Sequence, residues 1–521
     1  MKREFLVGAV VGAVPAAMAA VNPWRELPAI HGGTDPLLQA AHLAHATRQV
    51  PGTEAFWNAP WLHPAPFAQL FVDPMVGPSL VARIVPGASS AWDYNIVLWL
   101  TVGGAFVAMA WCARRFGLSR GFAAMAGLLY AIGPYAAGHF HHLNQVPSPW
   151  LPLALGALVD LVRTRRPWWA AAAFVCTVAL QLSWSVYATA ALALASIVLL
   201  VVLGRGAVPW QPLLAACIGA VAVVVVGAQP YAAAARTVEG FGREATEVLA
   251  FQARWFDVWK AAGPRLLAWP THDALRPSLY PGIGVVVLAV LGAWRMPDRR
   301  AVFALLAMVV VGFGFACGRN FLVPFTEFEI PLPYIALQDL LWPLRALRDP
   351  SRFALIAAWA GALLAAGGAQ WLMGRHRTTA LALLVIVALD AAPGAMERIA
   401  VEDDGKIVDA LATLPAPAVW VGFPAACDEV DESARDARYM LWAVASGTRV
   451  AGGASGFVPP AIEDLRIACC AAPDAPALEA HGVEWIVSDR RLPIPAVWSD
   501  GTWSVYGVGE LAPGPKSHSR P

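Results

Sequence analysis

The stretch LPAIHGGTDPLLQAAHLAHA, residues 27–46, gathers His31, Asp35, His42 and His45 in one short segment. Carboxylates and imidazoles are the side chains that take protons or hold divalent ions near neutral pH. Asp35 precedes Pro36, so it stands in a turn that opens a helix-spaced segment. It reads equally as a catalytic carboxylate or as an N-terminal cap. A second acid, Asp73, lies before Pro74 in WNAPWLHPAPFAQLFVDPMVGPSL. Trp57, Trp61, Phe67 and Phe71 beside it supply aromatic surface for a sugar face or a membrane interface. The plain alternative is a turn-opening acid within an aromatic belt, and Glu54 is a weaker third acid.

Two further clusters could bind a ligand. GHFHHLNQVPSPWLPL carries His139, His141, His142, Asn144 and Gln145. It contains no carboxylate, so ligand hydrogen bonding or loop packing is favoured over a metal. LWPLRALRDPSRFALIAAWAG places Arg345, Arg348 and Arg352 just before an apolar run. The guanidinium fork matches a phosphate. Pairing with Asp339, Asp349 or lipid headgroups is the competing account.

The elements that must position these residues are membrane helices. The 521-residue chain is 58% hydrophobic, with a mean hydropathy of +0.55, too apolar for a soluble protein. The apolar runs have the length that crosses a bilayer. About eleven spans are expected, at 5–21, 93–112, 121–138, 147–162, 168–184, 187–203, 212–230, 280–294, 301–317, 353–373 and 379–392. The first also resembles a signal peptide, but an uncleaved helix makes the loop charges alternate. ARRFGLSR, RTRRP, GRG, RMPDRR and GRHRT are short and Arg-rich, so they face the cytoplasm. Segments 22–92, 139–146, 231–279, 318–352 and 393–521 face outward, and 231–279 includes an amphipathic, interface-type stretch.

From Pro393 onward there are 18 acidic and 10 basic residues, a net −8 that leaves +9 for the rest. The expectation is a transmembrane part, 1–392, a periplasmic α/β domain, 393–510, and a disordered end, 511–521. Residues 418–424, 483–489 and 503–509 read as strands, and AGGASGF as a turn with no phosphate-loop Lys-Ser/Thr. Cys112, Cys176, Cys217 and Cys317 read as packing residues. Cys427 could pair with Cys469 or Cys470, or all three could stay as thiols.

The motifs TDPLLQ, FVDPMVG, GHFHHLNQVPSPWLPL, SLYPGIGVVVLA and LRDPSRF, with the tail segments RYMLWAVASGTRVAGGASGFVPP and LEAHGVEWIVSD, resemble the GT-C superfamily of membrane glycosyltransferases. The closer likeness is to a bacterial group related to YfhO-type proteins. The resemblance implies a mainly α GT-C fold in the bacterial cytoplasmic membrane, with the N-terminus cytoplasmic. It implies sugar transfer from a polyprenyl-phosphate donor to a glycan, lipid or protein acceptor on the outer face, and no nucleic-acid partner. On that reading Asp35 is catalytic with Asp73 as its partner, and Arg348, Arg352 and Arg345 hold the lipid phosphate. His31, His42, His139, His142, Asn144, Trp57 and Trp61 are the substrate-binding candidates. The first loop lacks the Asp-x-Asp or Glu-x-Asp pair of the superfamily, so a Mg or Mn cofactor stays open. The alternative is a non-catalytic lipid-glycan transporter or assembly partner. Transport is disfavoured because charge is scarce inside the spans, with Asp160 and Asp390 only at span ends.

The orientation has a direct test. A cysteine placed at Ser504 should react with an impermeant thiol reagent on intact cells. Reaction only after lysis would refute an outward tail.

Overall fold

The computed structural model describes the chain outside residues 1, 20–21, 30–34, 86, 88, 164–165, 205–207, 240, 242–247, 250, 262–268, 271–278, 323–327, 335–346, 392–396, 402–403, 424–431, 455–456, 469–472 and 512–521. His31, Arg345, Cys427, Cys469 and Cys470 lie outside the described residues.

The protein is mainly helical, and a helix occupies each apolar stretch of the sequence. Among the described residues, five helices are long and apolar enough to cross a membrane: Ser90–Arg115, Val186–Leu203, Trp210–Thr237, Arg299–Ala316 and the Pro350–Arg375 segment. Trp150–Val162 and Ile283–Arg295 are shorter apolar helices. The helices end where local chemistry ends them. Ser89 accepts from the Trp92 amide and Asp298 from the Ala301 amide, capping two N-termini. Gly133 and Pro134 break the third stretch into Arg120–Ile132 and Pro134–Ala137.

Bundle packing relies on small residues, because lipid gives helices no hydrophobic reason to associate. Ile283–Arg295 crosses Ala354–Arg375 at Gly292 and Gly368. A Cβ on Gly292 would fall 1.9 Å from the Leu364 carbonyl oxygen, and one on Gly368 2.0 Å from that of Leu288. At one end of the bundle the Arg-rich linkers converge. Arg115 meets Asp160 at 3.2 Å and Arg163 meets Asp298 at 2.7 Å. Asp160 is thus an ion-pair partner at a helix end.

The tail forms a five-stranded sheet in the order Trp498–Ser499, Ser504–Gly507, Trp485–Ser488, Val419–Phe423, Arg449–Val450. Val419–Phe423 runs parallel to both its neighbours. The three strands read from sequence form its centre. The tail is not free-standing. Its helix Glu432–Ser446 packs on Asp35–Arg48, and Arg48 donates to the Val444 carbonyl. Glu26–Ala29 pairs antiparallel with Glu397–Ala400. Trp61 of the first loop shares one buried cluster with Trp420, Tyr439 and Trp442 of the tail.

Gly292→Leu should lower the yield of folded protein in detergent and its melting temperature, because backbone stands where the side chain would go. Gly314→Leu, at a glycine with open space around it, is the control expected to leave both near wild type.

Candidate functional site

Asp35 is the first residue of the helix Asp35–Arg48, where the helix dipole favours negative charge. The fold carries the His loop to it. Asp35 Oδ2 lies 2.6 Å from His142 Nε2. The His141 ring is tilted against His142 at 4.0 Å. One ligand atom each from Asp35, His141 and His142 lies within 4.8 Å of the others. Burial disfavours the Asp35 charge, but the charge and hydrogen bond of His142, with His141 and Arg348 nearby, outweigh it. Its carboxyl is held well below the ordinary carboxylate value. Asp35 is therefore ionised, and it faces a cleft of about 840 Å³ with 45% of its side chain exposed.

Asp73 has the opposite character. It is 6% exposed, and Oδ2 accepts from Asn144 Nδ2 at 2.9 Å and from Ser185 Oγ at 2.9 Å. Oδ1 accepts from the Val186 amide at 3.2 Å, at the start of the helix Val186–Leu203. Burial pushes its carboxyl up despite Arg352 and these donors. The two acids are driven apart, Asp35 toward permanent charge and Asp73 toward proton uptake.

Two arginines line the same cleft. The Arg348 amide donates to Tyr187 Oη at 2.7 Å and its guanidinium lies over Phe251 at 4.4 Å. Arg352 donates from Nε to Asp349 Oδ2 at 3.1 Å and lies over Tyr187 at 3.9 Å. The pairing of Arg352 with Asp349 is thus real, and both Arg348 and Arg352 still line the cleft with Asp35, Asp73, His142 and Asn144.

Other expected ligand residues are placed elsewhere. His42 is fully buried and its ring lies 4.6 Å from Trp61, which is itself fully buried, so neither can reach a substrate. His139 is buried, with Nδ1 2.7 Å from the Tyr135 carbonyl. Trp57 packs edge-on to Phe56 at 4.7 Å and against the bundle core. Trp61, with His42 against it, seats the tail on the first loop, whereas Trp57 packs on the bundle and His139 is tied to its own turn. Sequence reasoning missed Gln39, Ser185 and Tyr187. Gln39 Oε1 accepts from the Asn144 amide at 3.3 Å and ties the His loop to the Asp35 helix. Tyr187 carried a signal, being a polar aromatic at the end of an apolar run. Ser185 and Gln39 carried none.

No protein-family model matches the sequence, and no curated protein matches it. Solved structures match its fold. The mycobacterial arabinofuranosyltransferase AftD matches with a TM-score of 0.57 at 14% identity, over 95% of this chain and 37% of that one. An oligosaccharyltransferase of Archaeoglobus fulgidus, solved with zinc and sulfate, gives 0.49 at 13%, over 93% and 68%. ArnT of Cupriavidus metallidurans gives 0.40 at 13%, over 98% and 99%. The chain has a GT-C-like membrane fold, and it spans little more than a third of AftD.

The buried imidazoles predict acid sensitivity. Burial pushes His42 down to about 3 and His45 and His139 to about 4, against an ordinary value of 6.5. Between pH 6.5 and 4 the unfolded chain takes up protons that the folded chain does not. Stability therefore falls on acidification, with a slope of about 1.4 kcal/mol per pH unit for each such group. Melting temperature in detergent should be level above pH 7 and drop below 6.5. His42→Gln should make that drop shallower whatever its own starting stability. A flat profile would mean that these imidazoles are not buried in neutral form.

Proposed function

We propose that the protein is a glycosyltransferase of the bacterial cytoplasmic membrane. It moves a sugar from a polyprenyl-phosphate donor to an acceptor on the outer face, through about eleven spans with the N-terminus inside. The observation that supports this reading is one cleft lined by both the Asp35–His142 pair and the arginines Arg348 and Arg352. Transfer needs few operations. An acceptor oxygen attacks the anomeric carbon and its bond forms as the bond to the lipid phosphate oxygen breaks. The phosphate leaves with that electron pair, and the acceptor proton passes to the Asp35–His142 pair. Arg348 and Arg352 neutralise the leaving phosphate, where preorganised charge stabilises the transition state most.

Asp35, His141 and His142 also fit a divalent ion. A carboxylate held ionised beside two imidazoles is a mixed oxygen and nitrogen donor set, better matched to Mn than to Mg. Such an ion, when bound, supplies charge to the leaving phosphate. The chain's own part is to hold the two imidazoles beside Asp35, which it does through Gln39 and Asn144.

Asp35→Asn keeps the shape and removes the charge. In proteoliposomes with a polyprenyl-phosphoryl sugar it should lose about 10²–10⁴-fold in transfer rate, while melting within a few degrees of wild type. Near-normal transfer in this variant would favour the non-catalytic alternative. Separately, Mn binding to the purified protein should weaken in His142→Ala, which removes one of the three donors.

A further inference from the structure

We propose that Phe457, delivered by the C-terminal segment, completes with Phe71 and Phe241 a wall that takes the apolar CH face of the sugar carried by the donor. This deepens the reading of the cleft as a lipid-phosphate site and rests on it. The three rings come from the first outer loop, from the segment after Trp210–Thr237 and from the tail, and all three line the cleft. Their centroids are 5.0 Å apart for Phe71–Phe457, 5.7 Å for Phe241–Phe457 and 6.0 Å for Phe71–Phe241, a mutually tilted cluster.

Phenyl rings offer no hydrogen bond, so they recognise an apolar face. A sugar ring presents such a face on one side and hydroxyls at its edge. Gln39 and Asn144, which can meet hydroxyls, line the same cleft. Position decides between sugar and prenyl chain. Phe71 stands two residues before Asp73, whose carboxyl feels the Arg352 charge. Phe71, Arg348 and Arg352 line the same cleft, so a ring joined directly to a phosphate held by the arginines is within the cleft that these rings wall. The three phenylalanines also pack with the cluster shared by the first loop and the tail.

The backbone a few residues before Phe457 is seated on the first loop. The Leu62 amide donates to the Gly452 carbonyl at 3.0 Å and the His63 amide to that of Val450 at 3.1 Å. Gly453 has φ +149°, and a Cβ there would sit 3.1 Å from Trp61 Cβ. Arg466 Nη2 donates to the Gly453 carbonyl at 2.7 Å. The Gly-rich turn is thus pressed onto Trp61, four residues before Phe457.

The test compares two kinds of probe on the full chain in nanodiscs: farnesyl phosphate, and a panel of farnesyl-phosphoryl hexoses and pentoses. The wild type should bind at least one sugar-bearing probe more tightly than farnesyl phosphate. Phe457→Ala should lose that preference, by about three- to tenfold, while binding farnesyl phosphate within twofold of wild type. Phe457→Trp should restore it. No sugar preference in the wild type, an intact preference in Phe457→Ala, or an equal loss for both probes would each overturn the proposal. Arg348→Ala separates the underlying reading, since it should weaken both probes alike. Unchanged farnesyl phosphate binding there would sink the phosphate site, while the Phe457 comparison would still report on the wall.

Discussion

The cleft is organised around one buried carboxylate, Asp73. Its oxygens accept from Asn144, Ser185 and the first amide of Val186–Leu203, and so join the first long loop, the His loop and a bundle helix. A buried acid without such donors would cost several kcal/mol, so each of the three segments is held where the donor must be. Asn144 is two residues from His142, and Gln39 takes the Asn144 amide from the other side. The position of His142 against Asp35 therefore follows from a carboxylate that is itself far from ideal as a base. Removing it would leave two side-chain donors and a helix amide unsatisfied, at about 1–3 kcal/mol each.

The distribution of polar groups follows from what surrounds each part of the fold. Within the bundle, close crossings at Gly292 and Gly368 let backbones touch where side-chain burial gains nothing over lipid. At the Arg-rich end, charge is handled by pairs between linkers, such as Arg163 with Asp298. At the other end an acidic tail needs a foothold. It finds one in Trp61, whose ring packs beside His42 and His45 and whose backbone neighbours bond to the Val450–Gly452 strand and turn. Two of the loop's histidines are thus committed to packing, and their low proton affinity is a consequence of that burial.

The tail therefore belongs to the cleft as well as covering it. Helix Glu432–Ser446 rests on the helix that begins at Asp35, and the Gly-rich turn carries Phe457 to the rim.

The sequence by itself determined the helices, because long apolar runs in a bilayer have no alternative that satisfies the backbone. It also determined the central strands of the tail, since continuous apolar stretches such as AVWVGFP are buried on both faces. Among site residues it made Asp35, Asp73, Arg348 and Arg352 legible, because charge beside a membrane span needs a reason. Only the tertiary structure decided which acid is which. Burial and three donors belong to Asp73, whereas an imidazole from 107 residues further along belongs to Asp35. Nor could spacing show that Trp61, His42 and His139 turn inward. A tryptophan suited to a sugar and one suited to a neighbouring domain are the same residue until the neighbour is placed. The distances that distinguish them arise between segments hundreds of residues apart, and no local pattern encodes them.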